Sequence, residues 1–173
     1  MPPTSNFDTR TSPLFIGIDL GTSGCRAIVI NGDAEPVANL ALAWPAPEVD
    51  GARVQQDAQI WWDTLRQLLT LLGQSIPAEQ VKAICLDGTS GTVLLADESG
   101  NPLAPALMYN DGRSTNEAWS LKETAPADSA VHSASSGLAK LLWLKKQAYA
   151  DRARFFLHQA DWIYGQLSGQ FGL

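Results

Sequence analysis

Asp19 and the four residues after Leu20, Gly21-Thr22-Ser23-Gly24, are the part of this sequence best equipped for chemistry. Leu14, Phe15, Ile16 and Ile18 form a nearly continuous apolar run, the pattern of a strand buried on both faces, and Asp19 ends it. A carboxylate at that point must be solvated or must meet a cation. Gly21 and Gly24 bracket two hydroxyls, so the turn is able to hold N–H groups and hydroxyls against an anion. A carboxylate placing a hard cation beside such a turn suits the phosphate tail of a magnesium-bound nucleotide. The same residues also suit a plain β-hairpin in which Asp and Gly serve only the turn. No G-x-x-x-x-G-K-[ST] occurs, and Ala27 to Ile30 resume a strand rather than a helix, which excludes a Walker-type loop. A second stretch repeats the arrangement: Val81 to Asp87 reads as a strand ending in aspartate, followed by the small polar turn Gly88-Thr89-Ser90-Gly91-Thr92.

These turns need strands and helices to hold them, and the chain can supply them. At 173 residues, 45% hydrophobic and 17% charged, it is an ordinary globular chain with one domain as the default. A net charge of −6 argues against a nucleic-acid or anionic-membrane surface. The two cysteines, Cys25 and Cys85, both sit in apolar runs, which predicts buried thiols in a reducing compartment rather than a disulfide. Two His and two Cys without ligand spacing give no zinc site. No apolar run approaches a membrane span, and the N-terminus lacks the apolar core of a signal peptide. Residues 1–12 therefore read as a disordered tail, and the protein as cytoplasmic.

Pro36 to Leu42 predicts a third strand, antiparallel to the second, and Trp44 to Gly51 a Pro-rich loop. Asp57 is a good N-cap for a helix over 58–72, with Trp61, Leu65, Leu68 and Leu72 at helical spacing and Gly73 as its stop. The Trp61-Trp62 pair reads as core rather than as a ligand platform. Residues 92–109 look like an appended hairpin, and a helix is expected from Ser114 to about Glu123, broken by Pro126. Ser135 or Ser136 caps a further helix that ends at Lys145-Lys146. Phe155-Phe156-Leu157 reads as a short strand and Asp161 to Leu167 as a last helix, stopped by Gly169. Three β signals, a helix and another β signal predict a mixed sheet flanked by helices, with ligands at the carboxyl ends of its strands.

Asp-x-Gly-Thr-Ser before a second strand resembles the first phosphate motif of the actin-like ATPase superfamily. Further stretches, in order, resemble the N-terminal domain of FGGY-family carbohydrate kinases. They are Gln56-Asp57 with Trp61-Trp62, the run from Leu86 to Leu95, Tyr109-Asn110-Asp111-Gly112-Arg113, Ser136 to Leu144, and Asp161 to Gly169. The resemblance covers residues 13–173 and implies an α/β, ribonuclease-H-like (actin-like ATPase) fold, incomplete at its C-terminus.

Carried over residue by residue, the resemblance makes Asp19 the holder of the Mg²⁺ of ATP. The Gly21-Thr22-Ser23 turn faces the terminal phosphates, and Thr89, Ser90 and Asp111 fall where the family contacts its sugar. Other readings of these residues stay open: Ser90 as turn former, Asp111 as helix N-cap, Arg113 as partner of a neighbouring carboxylate. Typical xylulokinases carry Met-His-Gly at the position of Thr89-Ser90-Gly91. The form found here looks like the xylulokinase-like group assigned to D-ribulose. The implied parent activity is ATP-dependent phosphorylation of a ketose, a pentulose such as D-ribulose or D-xylulose. The family's general base, the remainder of its first domain and its second domain are expected beyond Leu173, so the chain reads as a fragment inactive alone. A homodimer is left open for the full-length parent. The rival readings are an actin-like ATPase without a sugar substrate and a sugar-binding or assembly module without catalysis.

Overall fold

The computed structural model describes residues 12–172; the tail expected over residues 1–12 lies, apart from Ser12, outside the described residues. Strand β1 (Leu14–Leu20) turns back into β2 (Gly24–Ile30), and β3 (Pro36–Ala43) follows antiparallel to β2. Helix α1 (Ala58–Gly73) then crosses over, and β6 (Val81–Gly88) pairs parallel with β1, giving the strand order β3-β2-β1-β6. This is the mixed sheet expected. Alternation along β1 is strict, however: Leu14, Ile16, Ile18 and Leu20 are buried, while Phe15 stays 37% exposed and Asp19 faces solvent. The apolar run is therefore buried on one face only, because α1 packs against one side of the sheet and leaves the other open. Cys85 lies exposed on that open side, unlike Cys25, which is buried, so the expectation of two buried thiols holds for one of them.

Asp57 caps α1 as expected, its side chain accepting from the Gln59 N–H at 2.9 Å. Gly73 does not stop the helix: it is its last helical residue, and Gln74 ends it in ordinary right-handed conformation. Trp61, Leu65, Leu68 and Leu72 are all buried, and Trp61 meets Trp162 edge-on, with ring centroids 6.3 Å apart. The Trp61 indole N–H donates to Gln56 Oε1 at 2.6 Å, so this tryptophan is core with its polar edge satisfied.

A second sheet gathers three strands the sequence marks, near Val93, Ala106 and Phe155, with two that it does not. The Pro-rich loop holds β4 (Glu48–Asp50), which pairs with β5 (Arg53–Gln56) across the positive-φ Gly51. These join β7 (Val93–Ala96), β8 (Ala106–Leu107) and β9 (Phe155–His158) in the order β4-β5-β8-β7-β9. Residues 92–109 form the expected antiparallel hairpin, paired at Val93–Leu107 and Ala96–Pro102, but it is not a mere appendage, because β7 also pairs with β9 along its whole length. Helices α2 (Thr115–Leu121), α3 (Gly137–Leu144) and α4 (Gln159–Ser168) complete the chain. Helix α3 is capped by Ser136, and α4 ends on Gly169 in left-handed conformation, both as the sequence reads. Among the described residues no helix is long and apolar enough to cross a membrane.

Candidate active site

The β1–β2 hairpin and the parallel β1–β6 pair bring three charges into one row. Asp19 stands opposite Arg26 on β2 and opposite Asp87 on β6, all on the open face at the carboxyl ends of β1 and β6. A depression of about 520 Å³ lies over this row, with Gly17, Ile28 and Cys85 among the residues of its floor. Asp19 is exposed to solvent, one of the two expected outcomes, with Arg26 as its cross-strand register partner. Arg26 is a candidate residue of this depression that motif reading missed. Hairpin arithmetic could have found it, because a turn centred on residues 22–23 places residue 26 across from residue 19.

The turn that follows is held from behind. Gly21 N–H donates to Gly24 O at 3.0 Å, so that amide serves the turn itself. The Trp44 indole N–H donates to Thr22 O at 3.0 Å and its backbone N–H to Ser23 O at 3.1 Å. With both carbonyls pinned to the buried Trp44, the Thr22 and Ser23 side chains line a second depression of about 380 Å³. That hollow shares Arg26 and Ala41 with the first, making one continuous trough. Gly24 is obligatory here: a Cβ on it would run into the Leu42 carbonyl of β3.

The Gly88–Thr92 turn is tied to the first turn and to α4. Thr89 donates twice to Leu20 O, from its N–H and from its hydroxyl, each at 3.2 Å. Its N–H also reaches the fully buried Gln159 Oε1 at 3.1 Å, while Gln159 N–H donates to Thr92 O at 3.0 Å. Gly88 packs so close to Ala160 that an added Cβ would stand 3.1 Å from it. Thr89 therefore acts through the backbone, whereas Ser90 is exposed and lines a third depression of about 540 Å³. Tyr109, Ser133, Ser135 and His158 share that wall.

Thr89 and Asp111, expected beside Ser90 at the sugar, do not line this depression. Asp111 is fully buried, with Oδ2 accepting from Val54 N–H at 2.8 Å and Oδ1 from Arg113 N–H at 3.1 Å. The Arg113 guanidinium closes on it at 2.8 Å and stacks 4.6 Å over the Trp143 ring. Of the readings left open for this pair, Arg113 is indeed partner to a neighbouring carboxylate, while the N-cap of α2 is Ser114 rather than Asp111. Beneath the same loop, the buried Lys140 ammonium donates to the carbonyls of Gly91, Met108 and Tyr109 at 2.7, 2.7 and 3.0 Å. Burial pushes its pKa down to about 8, against the pull of the Asp111 carboxylate. Lys140 thus joins the two segments that carry Ser90 and Tyr109. Its role had no signal in the sequence beyond a lysine among the apolar residues of a short helix.

Comparison with known proteins places this architecture. The model of the FGGY family of carbohydrate kinases, N-terminal domain, matches residues 14–173. The chain belongs to the FGGY family. Among curated relatives, the xylulose kinase of Escherichia coli is 31% identical over 141 residues, covering 77% of the chain and 28% of that protein. The xylulose kinase of Streptomyces coelicolor is 30% identical over 169 residues, covering 91% of the chain and 34% of that protein. The crystal structure of a xyloylose kinase from Brucella ovis superposes with a TM-score of 0.82 at 27% identity, over 91% of the chain and 34% of that structure. The fold is thus that of FGGY sugar kinases, the actin-like ATPase fold. The chain spans about a third of the length of the relatives it matches.

The donor set fits a magnesium-bound phosphate tail. Mg²⁺ is ordinarily held by one or two carboxylates with phosphate and water completing its shell, and Asp19 and Asp87 stand adjacent across the strand pair.

Proposed function

We propose that this chain is the sugar- and phosphate-facing part of an ATP-dependent pentulose kinase, with D-ribulose as the preferred acceptor. The observation that carries this reading is the pair of hydrogen bonds that Thr89 donates to Leu20 O. It fastens the turn after β6, which leads to the Ser90 wall, onto the strand end that begins the Thr22-Ser23 turn. A donor phosphate and an acceptor hydroxyl must be held in line, and phosphoryl transfer is catalysed almost entirely by such positioning and by charge neutralisation. Asp19 holds the Mg²⁺ of ATP, Arg26 offsets phosphate charge beside it, and Gly21, Thr22 and Ser23 face the terminal phosphates. Ser90 contacts the sugar, Thr89 fixes the turn, and Asp111 orders the neighbouring loop from within. The xylulose kinase names of the relatives support a pentulose, and Thr89-Ser90-Gly91 in place of Met-His-Gly supports D-ribulose. The parent works in the cytoplasm.

The test is kinetic, in the protein extended to the length of its relatives. Asp19→Ala lowers kcat about a hundredfold, the scale of losing one electrostatic contact to a reacting centre, with little change in D-ribulose affinity. Loss of ketose binding with turnover spared at saturating sugar would reverse the assignment.

A further inference from the structure

We infer that His158 is a specificity-determining residue of the ketose pocket, its imidazole hydrogen-bonding an oxygen of the open-chain sugar beside Ser90 and Tyr109. This rests on the sugar reading of the third depression. His158 is the last residue of β9, and its register partner is Val93, the first residue of β7. That position carries the ring to the mouth of the hollow lined by Ser90, Tyr109, Ser133, Ser135 and Gly137.

The ring is held in place from the chain side. His158 N–H donates to Asp161 Oδ2 at 3.1 Å, and the Phe156 ring meets the imidazole edge-on, centroids 6.1 Å apart. Toward α3 the imidazole lies against Gly137, where an ideal Cβ would sit 3.5 Å from Cε1 and 3.6 Å from Nε2. A longer side chain at residue 137 would cover this edge of the ring; glycine leaves it open to the hollow.

The chemistry of the wall is uneven. Hydroxyls of serine and tyrosine both donate and accept, so they adapt to many polyols. Ser133 and Ser135 already share a hydrogen bond at 2.6 Å, whereas among the described residues Ser90 Oγ and Tyr109 Oη have no partner. In the capping box of α4 the His158 side chain accepts from the Asp161 N–H, which leaves the other ring nitrogen, in a fixed direction, for a ligand. The imidazole therefore demands a particular arrangement of sugar oxygens, and a site built to pair with such groups rejects a sugar that leaves them unpaired.

The sequence has two histidines, so the ring protons of the 173-residue chain report on this directly. His132, whose Nε2 sits 2.7 Å from Pro126 O, is the internal control. On titration with D-ribulose, the His158 ring resonance and the Ser90 amide should move together with one apparent Kd, while the His132 ring stays still. His158→Leu should weaken D-ribulose binding about tenfold, and His158→Gln should recover part of that loss, with the melting curve of each variant checking the fold. If the Ser90 amide moves while the His158 ring and the Kd of the variants do not respond, the inference is wrong and the sugar pocket stands. If no resonance around the hollow responds to saturating D-ribulose or D-xylulose, the sugar reading itself falls, and this inference with it.

Discussion

Single residues in the trough owe their properties to which face of one sheet they occupy. Alternation puts Asp19, Arg26, Asp87 and Cys85 on the open side, and Cys25, at the start of the same hairpin, on the packed side. Burial pushes the Cys25 thiol pKa up, although two backbone hydrogen bonds work against it. Thiolate is the reactive form, so burial and protonation protect Cys25 together. Native chain treated with iodoacetamide near neutral pH should therefore take up one label, at Cys85, and two only after denaturation; peptide mass spectrometry reads this. Labelling of Cys25 in the native chain would mean that the β1–β2 hairpin opens. The strand that carries Asp19 and the turn after it are legible because a carboxylate ending an apolar run, followed by two glycines, is a local signal. The sequence misplaced Cys85 because an apolar run says nothing about whether both faces of its strand are covered.

At the scale of elements, the second sheet is held together through side chains that no local pattern marks. Five short strands, one of only two residues, leave no periodicity to read, and their pairings join residues 48 to 158. Lys140 shows the cost of such joints, because α3 must bury an ammonium to gather three carbonyls from β7's approach and β8's exit. Removing it by Lys140→Met strands those acceptors, and we expect a loss of about 2–4 kcal/mol near neutral pH. The pH dependence has a definite sign. An ordinary lysine titrates at 10.5 and this one at about 8, so between those values the unfolded chain holds a proton that the folded chain has released. The penalty of the buried charge is full below about 8 and relieved toward 10.5, so wild-type stability rises with pH relative to Lys140→Met. Cys25 and Tyr149, both raised by burial, titrate with the opposite sign but cancel between the two proteins. Urea unfolding of both at about pH 7 and about pH 10 measures the gap. A gap that narrows would mean the three carbonyls hold the proton more strongly than burial expels it.

Across the whole molecule, the last described turn closes the structure by crossing from α4 to the far end of the second sheet. After Gly169 the chain reverses, and the Phe171 ring inserts between Gly165 of α4 and Gly100, the positive-φ residue of the β7–β8 connection. Phe155 of β9 flanks it, centroids 5.9 Å apart, and the Trp162 indole N–H fixes the same connection by donating to Gly100 O at 2.9 Å. Gly165 is buried in the helix because a Cβ there would occupy the space of the Phe171 ring. This sets two known effects of a glycine-to-alanine change against each other. In a helix interior, alanine is worth about 0.5–1 kcal/mol over glycine through backbone entropy. Overpacking costs about 1–3 kcal/mol when a well-placed ring must leave. Gly165→Ala should therefore lower stability by about 1 kcal/mol in the wild-type chain, since the overpacking cost exceeds the helix gain. In a Phe171→Ala background the ring is gone and only the helix term remains, so the same substitution should raise stability by about 0.5–1 kcal/mol. The change of sign, read from four urea curves, is the signature of this closure. Equal effects in both backgrounds would place the Phe171 ring elsewhere in solution, and the reversal after Gly169 would no longer secure the second sheet to α4.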